Sequence, residues 1–260
     1  MSTPASSAIA ILPARLGSTR FPRKVLASRT GKPLIQHVWE QTRKATSLSR
    51  VVIATDEREV FDAVLAFGGE AVMTSASHPN GSSRLAEAAT ILGIPDDALV
   101  VNVQGDEPEM DPAVIDAAVN LARKSGAEVS TVGSPLASHE TFENPNIVKV
   151  VMRADGMALY FSRAQIPFPR VGGAAETPDA APVLKHIGLY VYRAGFLRTY
   201  VTLPATPLER TEMLEQLRVL EHGYRIAVAV CRCDMVGVDT PEQYEAFIQR
   251  YQARVAGQTH

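Results

Sequence analysis

Cysteine is nearly absent from this chain. Cys231 and Cys233 are the only two in 260 residues, and they flank a single residue. That spacing is poor for a disulfide, and no second pair completes a zinc site. A disulfide scaffold and a zinc module are thereby excluded, and a reducing, cytoplasmic setting is expected. No uninterrupted apolar run approaches the ~18 residues that a membrane span requires. The opening residues MSTPASS carry neither a basic segment nor a long apolar one, so no secretion signal is expected. An excess of either charge is also missing. With 26 basic against 28 acidic residues the net charge is -2, which favours neither nucleic acid nor an anionic membrane surface. The phosphate-binding pattern GxxxxGK[ST] does not occur, nor does any internal repeat.

What is present begins with a core. Apolar residues make up 46% of the chain, enough for one large domain. Ala8 to Leu12 is a short apolar run ending at Pro13, too short for a helix, and reads as a buried strand. Arg50 to Ala54, Ala71 to Met73, Ala98 to Val103 and Glu128 to Val132 read as further strands. Between them, apolar stripes predict helices from Pro33 to about Ala45, from Val60 to Phe67, up to Leu92 with Ser82 or Ser83 as cap, and from Pro112 to Arg123. Alternating β and α elements predict an α/β fold, with a mostly parallel central sheet and helices on both faces. From Asn144 the pattern changes. Val148, Val150 and Met152 alternate, Asp155-Gly156 is a hairpin turn signal, and Ala158 to Ser162 returns. This predicts a β-hairpin insertion at about 145–200 within a single domain of residues 1–260. Pro167, Pro169, Gly172, Gly173 and Pro178 read as a mobile loop, and Lys185 to Tyr192 as a strand. Leu208 to Leu220 reads as one amphipathic helix with Met213, Leu217 and Leu220 on a common face. Ile226 to Val230 is the last strand, and Asp239 or Thr240 caps the terminal helix.

Two loops stand out, because ligands of such sheets sit beyond the carboxyl ends of the strands. After the first strand come Arg15, Arg20, Arg23 and Lys24, with Gly17, Ser18 and Thr19 between them. Cations and backbone N–H groups in a glycine-containing loop suit a polyanion such as a nucleoside triphosphate; a solvated basic loop fits equally. After the fourth strand comes Gln104-Gly105-Asp106-Glu107-Pro108. Asp106 there binds Mg²⁺ or caps a helix, and Asp239 in GVDTP reads as a cap on its own. Two aspartates on separate loops beside a triphosphate would suit Mg²⁺, which favours carboxylates, phosphate oxygens and retained waters.

Longer motifs then appear in order: Leu12-Pro13-Ala14-Arg15, STRFPRK, VVIATDEREVFDAV, VNVQGDEP, NPNIVKVV, ALYFSRAQIPFPR, KHIGLYVYRAGF, PLERTEMLEQLRVLEHG and GVDTPEQ. Together they resemble the CMP-Kdo synthetases, the 3-deoxy-manno-octulosonate cytidylyltransferases, from about Ile9 to the C-terminal helix. The resemblance implies a GT-A-like nucleotidyltransferase fold, a homodimer built through the hairpin region, CTP and Kdo as substrates, and Mg²⁺ as cofactor. It implies that Ala14, Arg15, Ser18, Thr19, Lys24 and Arg84 meet the nucleotide. Asp106 and Asp239 would hold the metal. Gln104, Arg163, His186, Tyr190, Glu215 and Gln216 would line the sugar-acid pocket. Arg15, Lys24, Asp106 and Asp239 would carry catalysis.

Two positions depart from the family pattern. Arg23 stands where the family usually has glycine, which puts the loop shape near Lys24 in question. In Asn80-Gly81-Ser82-Ser83-Arg84, Ser83 replaces the usual acid, which predicts a freed Arg84 and extra positive charge. A modified Kdo such as the 8-amino sugar, or another nonulosonate, is therefore an alternative acceptor. A catalytically inactive sugar-nucleotide-binding protein is a further alternative, against which intact Lys24, Asp106 and Asp239 argue.

Overall fold

The computed structural model describes residues 7–136, 142–170, 183–233 and 236–257. Strand β1 (Ala8–Ala14) is buried almost throughout. Ala8, Ala10 and Leu12 pack into one apolar cluster, while Ile9 and Ile11 pack into a second on the opposite face. The period-2 geometry of a strand sends alternate side chains to opposite sides, so an unbroken apolar run is what a strand covered on both faces needs. Strands β2 (Leu48–Thr55) and β4 (Leu99–Asn102) follow the same rule. Val51, Ile53, Leu99 and Val101 lie on one side, and Val52, Ala54 and Val100 on the other. Burial of each Val, Leu or Ile side chain among them contributes about 1.5–3 kcal/mol, and each Ala less.

The nine described strands form one sheet, with β3 (Glu70–Met73), β5 (Val129–Pro135), β8 (Leu184–Arg193) and β9 (Ile226–Val230) in the order β3-β2-β1-β4-β8-β5-β9. Strand β8 runs antiparallel to both its neighbours, and the other strands of this path run one way. The sheet is mostly parallel, as expected. The hairpin β6 (Lys149–Met152) and β7 (Ala158–Ser162) joins through β6 to β8. Helices α1 (Leu34–Thr42), α2 (Arg58–Ala66) and α4 (Pro112–Ser125) cover one face. The other is covered by α3 (Gly81–Ile91), α5 (Ala194–Tyr200) and α7 (Gln216–Glu221). The C-terminal helix α8 (Pro241–Gly257) docks separately, with Tyr244, Phe247 and Ile248 packed on Leu34 and Val238. No helix of the described residues is long and apolar enough to cross a membrane.

Two local expectations change, at α3 and at 208–220, and the choice between Asp239 and Thr240 as the cap of α8 is resolved. The cap of α3 is Asn80, whose side chain accepts from the Ser83 N–H; Ser82 and Ser83 are already inside the helix. At α8 the cap is Thr240. Its Oγ1 accepts from the Gln243 N–H while the Gln243 side chain accepts from the Thr240 N–H, a reciprocal box. The side chain of Asp239 is thereby released from capping. The segment 208–220 is not one helix. It breaks into α6 (Pro207–Glu212) and α7 at Met213, which adopts φ 54 and stands 76% exposed. The break turns Leu214 inward and brings Glu215 and Gln216 to the sheet's end. Of the expected mobile loop, Gly172, Gly173 and Pro178 lie outside the described residues.

Candidate active site

The loops leaving the parallel strands β1, β3 and β4, joined by Arg84 and Asp239, surround a cavity of about 390 Å³. Its lining includes Ala14, Arg15, Ser18, Thr19, Arg20, Lys24, Arg84, Gln104, Asp106 and Asp239. Gly105 allows this convergence, since a Cβ there would lie 2.7 Å from the Pro13 carbonyl oxygen. Any other residue would push the 104–108 loop off the 13–20 loop.

Lys24 sits at the centre. Its Nζ lies 2.8 Å from Asp106 Oδ2 and 2.9 Å from Asp239 Oδ1, and Arg20 Nη2 lies 3.0 Å from Asp239 Oδ2. Burial opposes the charge on Lys24, but the carboxylates of Asp106 and Asp239 outweigh it and hold the ammonium's pKa above its ordinary value. The residue before it, Arg23, adopts φ 61. The loop therefore keeps a left-handed turn of the kind glycine favours, at a cost of about 1–2 kcal/mol for an L side chain, and Arg23 pairs outward with Glu59. Arg84 is not freed by the serine at position 83. Its buried guanidinium is 2.9 Å from Asp56 Oδ1 and donates to Thr74 Oγ1 at 2.7 Å. The acid at the carboxyl end of β2 supplies the charge that the loop motif lacks.

A second cavity of about 720 Å³ adjoins the first, and Arg15, Asn80, Gly81 and Gln104 line both. Its walls carry Asn102, Glu107, Lys185, His186, Tyr190, Glu215 and Gln216. Because β8 runs antiparallel to β4, with Asn102 opposite Tyr190, the first half of β8 reaches the same end of the sheet as the parallel strands. His186 Nε2 is 2.9 Å from Thr131 Oγ1, and burial pushes its pKa down to about 3, leaving a neutral ring. Burial, with Asp106 and Asp239 nearby, pushes the Glu107 carboxyl up to about 8; burial also raises that of Glu215. Asn102 Oδ1, Glu107 Oε2 and Gln216 Nε2 are buried without a hydrogen-bond partner among the described residues. Such atoms cost about 1–3 kcal/mol each when left unpaired, and three on one cavity wall suit a ligand rich in hydroxyls.

The structure thus brings the expected residues together in two joined cavities, with one exception. Arg163 lines neither. Its Nε donates to the Glu212 carbonyl at 2.8 Å and its Nη1 to the Pro145 carbonyl at 3.0 Å. Next to it the buried Lys149 donates to the carbonyls of Asn144, Ile147 and Arg163 at 3.2, 2.8 and 2.6 Å. Both side chains brace the wall formed by Asn146, Ile147 and Val148. Sequence reasoning overlooked Asn102, Glu107 and Lys185. Asn102 left a trace, as a polar residue ending an otherwise apolar strand. Among the described residues no cluster of three or more His, Cys, Asp or Glu side chains is arranged for a metal. The carboxylate pair Asp106 and Asp239, bound to one ammonium, is the grouping with the charge that a divalent cation requires.

A mostly parallel sheet with a cationic cavity at its carboxyl edge and a second, polar cavity beside it defines a nucleotide-handling transferase. Residues 9–226 match the cytidylyltransferase family. The structure of a CMP:2-keto-3-deoxy-manno-octonic acid synthetase complexed with CTP is 37% identical, with a TM-score of 0.88, over 96% of this chain and 100% of that one. A cytidylyltransferase from Leptospira borgpetersenii serovar Hardjo-bovis (strain JB197) shares the fold at a TM-score of 0.57 and 15% identity, over 94% of this chain and 85% of that one. The chain belongs to the cytidylyltransferase family and is a CTP-dependent nucleotidyltransferase.

Proposed function

We propose that this enzyme transfers CMP from CTP to the anomeric hydroxyl of 2-keto-3-deoxy-manno-octonic acid (Kdo), releasing CMP-Kdo for lipopolysaccharide synthesis and pyrophosphate. The observation that carries this reading is the pair of joined cavities, one cationic and one lined by unpaired polar atoms, that share Arg15 and Gln104. The 37% identity to a synthetase for this sugar nucleotide supports the choice of acceptor.

In this reading the smaller cavity holds the triphosphate. Ala14, Ser18 and Thr19 line its loop, Arg15 and Lys24 offset charge on the phosphates, and Arg84 stands behind them on Asp56. The larger cavity holds the sugar acid among Gln104, His186, Tyr190, Glu215 and Gln216. Arg163 acts from behind its wall. The anomeric oxygen forms a bond to the α-phosphorus as the bond from that phosphorus to the bridging oxygen of pyrophosphate breaks. The hydroxyl proton passes to solvent. Catalysis is mostly positioning and charge neutralisation. Asp106 and Asp239 fit Mg²⁺, since two carboxylates from separate loops leave the remaining positions to phosphate oxygens and water. The ion would neutralise phosphoryl charge and help orient the nucleophile. Lys24, which bridges the two carboxylates, would then turn toward the phosphates.

Pyrophosphate should appear when CTP, Mg²⁺ and Kdo are mixed with the protein, and not when glucose 1-phosphate replaces Kdo. Product with glucose 1-phosphate alone would overturn the assignment. We place the enzyme in the cytoplasm as a homodimer formed through the hairpin region at about 145–200. Leu159 on strand β7 is 57% exposed and Phe168 75% exposed, in keeping with a covered face. Light scattering that gives a monomer at micromolar concentration would refute the dimer.

A further inference from the structure

The larger cavity holds acidic groups of its own, Glu107 and Glu215, and yet on the reading above it must accept an anion. Its cations therefore decide what it accepts. His186 is neutral, because burial pushes its pKa down to about 3. Arg163 lies outside the cavity, on backbone carbonyls. Arg15 stands at the seam and also lines the nucleotide side. Lys185 is left. It lines the larger cavity, away from the triphosphate loop, and among the described residues its ammonium has neither an ion pair nor a hydrogen bond.

Its neighbour in register shows the contrast. Lys149 on β6 pairs with Lys185 on β8, and the Lys149 ammonium is spent on three carbonyls. Among the described residues Lys185 has its three donors unspent. An ammonium is a compact charge with rotatable donors and can meet a carboxylate without the fixed fork that an arginine needs. We infer that Lys185 binds the carboxylate of the sugar acid and selects acidic over neutral acceptors. The inference rests on the proposed function and names a specificity residue for that same site.

The test compares wild-type, Lys185→Met and Lys185→Arg proteins, with CTP and Mg²⁺, on Kdo and on its C1 carboxamide. On Kdo, Lys185→Met should raise KM roughly 10- to 100-fold, the scale of a lost hydrogen bond to a charged group. kcat should stay within about threefold and the KM for CTP unchanged. On the carboxamide the same substitution should change KM less than about twofold, and Lys185→Arg should recover most of the loss on Kdo. A half-buried, unbonded lysine should leave the melting temperature close to wild type. Equal losses on acid and amide, or no loss on either, would overturn the inference and leave the enzyme assignment standing. If wild-type protein releases no pyrophosphate with Kdo, the proposed function falls. Calorimetric binding of Kdo to the CTP-loaded proteins then reads Lys185 by itself, and equal affinity of wild type and Lys185→Met would overturn its role.

Discussion

The two cavities differ in how their polar groups are satisfied. On the nucleotide side most of the charges compensate one another. Lys24 holds Asp106 and Asp239, Arg20 holds Asp239, and Arg84 holds Asp56. On the sugar side Asn102, Glu107 and Gln216 keep buried atoms unpaired, and Lys185 stands free of ion pairs among the described residues. A ligand entering the first cavity must exchange existing ion pairs for new ones, so binding there is a rearrangement of charge. A ligand entering the second fills vacancies in the hydrogen bonding that the fold already tolerates. Self-compensation keeps a highly charged loop stable without ligand. Unpaired atoms make the other pocket costly when empty and selective when full.

Removing the charge at the centre of the first cavity should have the largest effect. Asp106→Asn and Asp239→Asn should each lower turnover by at least ~100-fold, on the scale of losing a strong electrostatic contact, with excess Mg²⁺ rescuing at most part. Stability should move little for Asp239→Asn, within roughly 1 kcal/mol, because Thr240 and not Asp239 caps the helix. Near-normal pyrophosphate release by Asp239→Asn with the same Mg²⁺ dependence would remove this residue from the metal site.

Next in size, Asn102→Leu probes the second cavity. Replacing an unpaired buried amide by an apolar group of similar shape is near neutral or stabilising. The melting temperature should hold or rise, while KM for the sugar rises about tenfold and KM for CTP stays. A sharp fall in melting temperature with an unchanged sugar KM would mean that Asn102 serves the strand and not the ligand, and the contrast between the cavities would weaken.

Smaller effects are expected where the family pattern is broken. Ser83→Asp would supply an acid for Arg84, but Arg84 already has Asp56 and Thr74. Kinetic constants for Kdo and its 8-amino analogue should stay within about twofold. Stability should gain a few tenths to 1 kcal/mol from a negative charge in the first turn of α3. A changed preference between the two sugars would show that position 83 reaches the acceptor after all. The smallest change belongs to Arg23→Gly. Relief of the positive φ is worth about 1–2 kcal/mol, offset by the exposed Glu59 pair, about 0–1 kcal/mol, and by glycine's greater chain entropy. Denaturant unfolding should show a shift of at most about 1 kcal/mol, with turnover nearly unchanged. A large loss of turnover would make the Arg23–Glu59 pair part of the loop's working shape.

The sequence by itself determined the sheet and the nucleotide loop. Buried parallel strands need unbroken apolar runs such as Ala8 to Leu12, and ligand loops follow their carboxyl ends, so Arg15, Lys24 and Asp106 were legible from local pattern. The long motifs added Asp239 and the sugar-side residues. Only the tertiary structure decided the rest, because it depends on atoms far apart in the chain. The break at Met213 could not be seen in a segment with helical periodicity. Of the two candidate caps, Asp239 and Thr240, the exchange with Gln243 selected Thr240. Arg84 found Asp56 across 28 positions of sequence, so a missing acid next to it did not leave it free. Arg163 turned to backbone carbonyls while Lys185, on the antiparallel strand beside β4, stayed without an ion pair among the described residues. Local pattern fixes most of which residues are strand, helix or loop, the break at Met213 excepted. Which charges meet is set by distances of about 3 Å between elements that fold together, and no spacing along the chain records those.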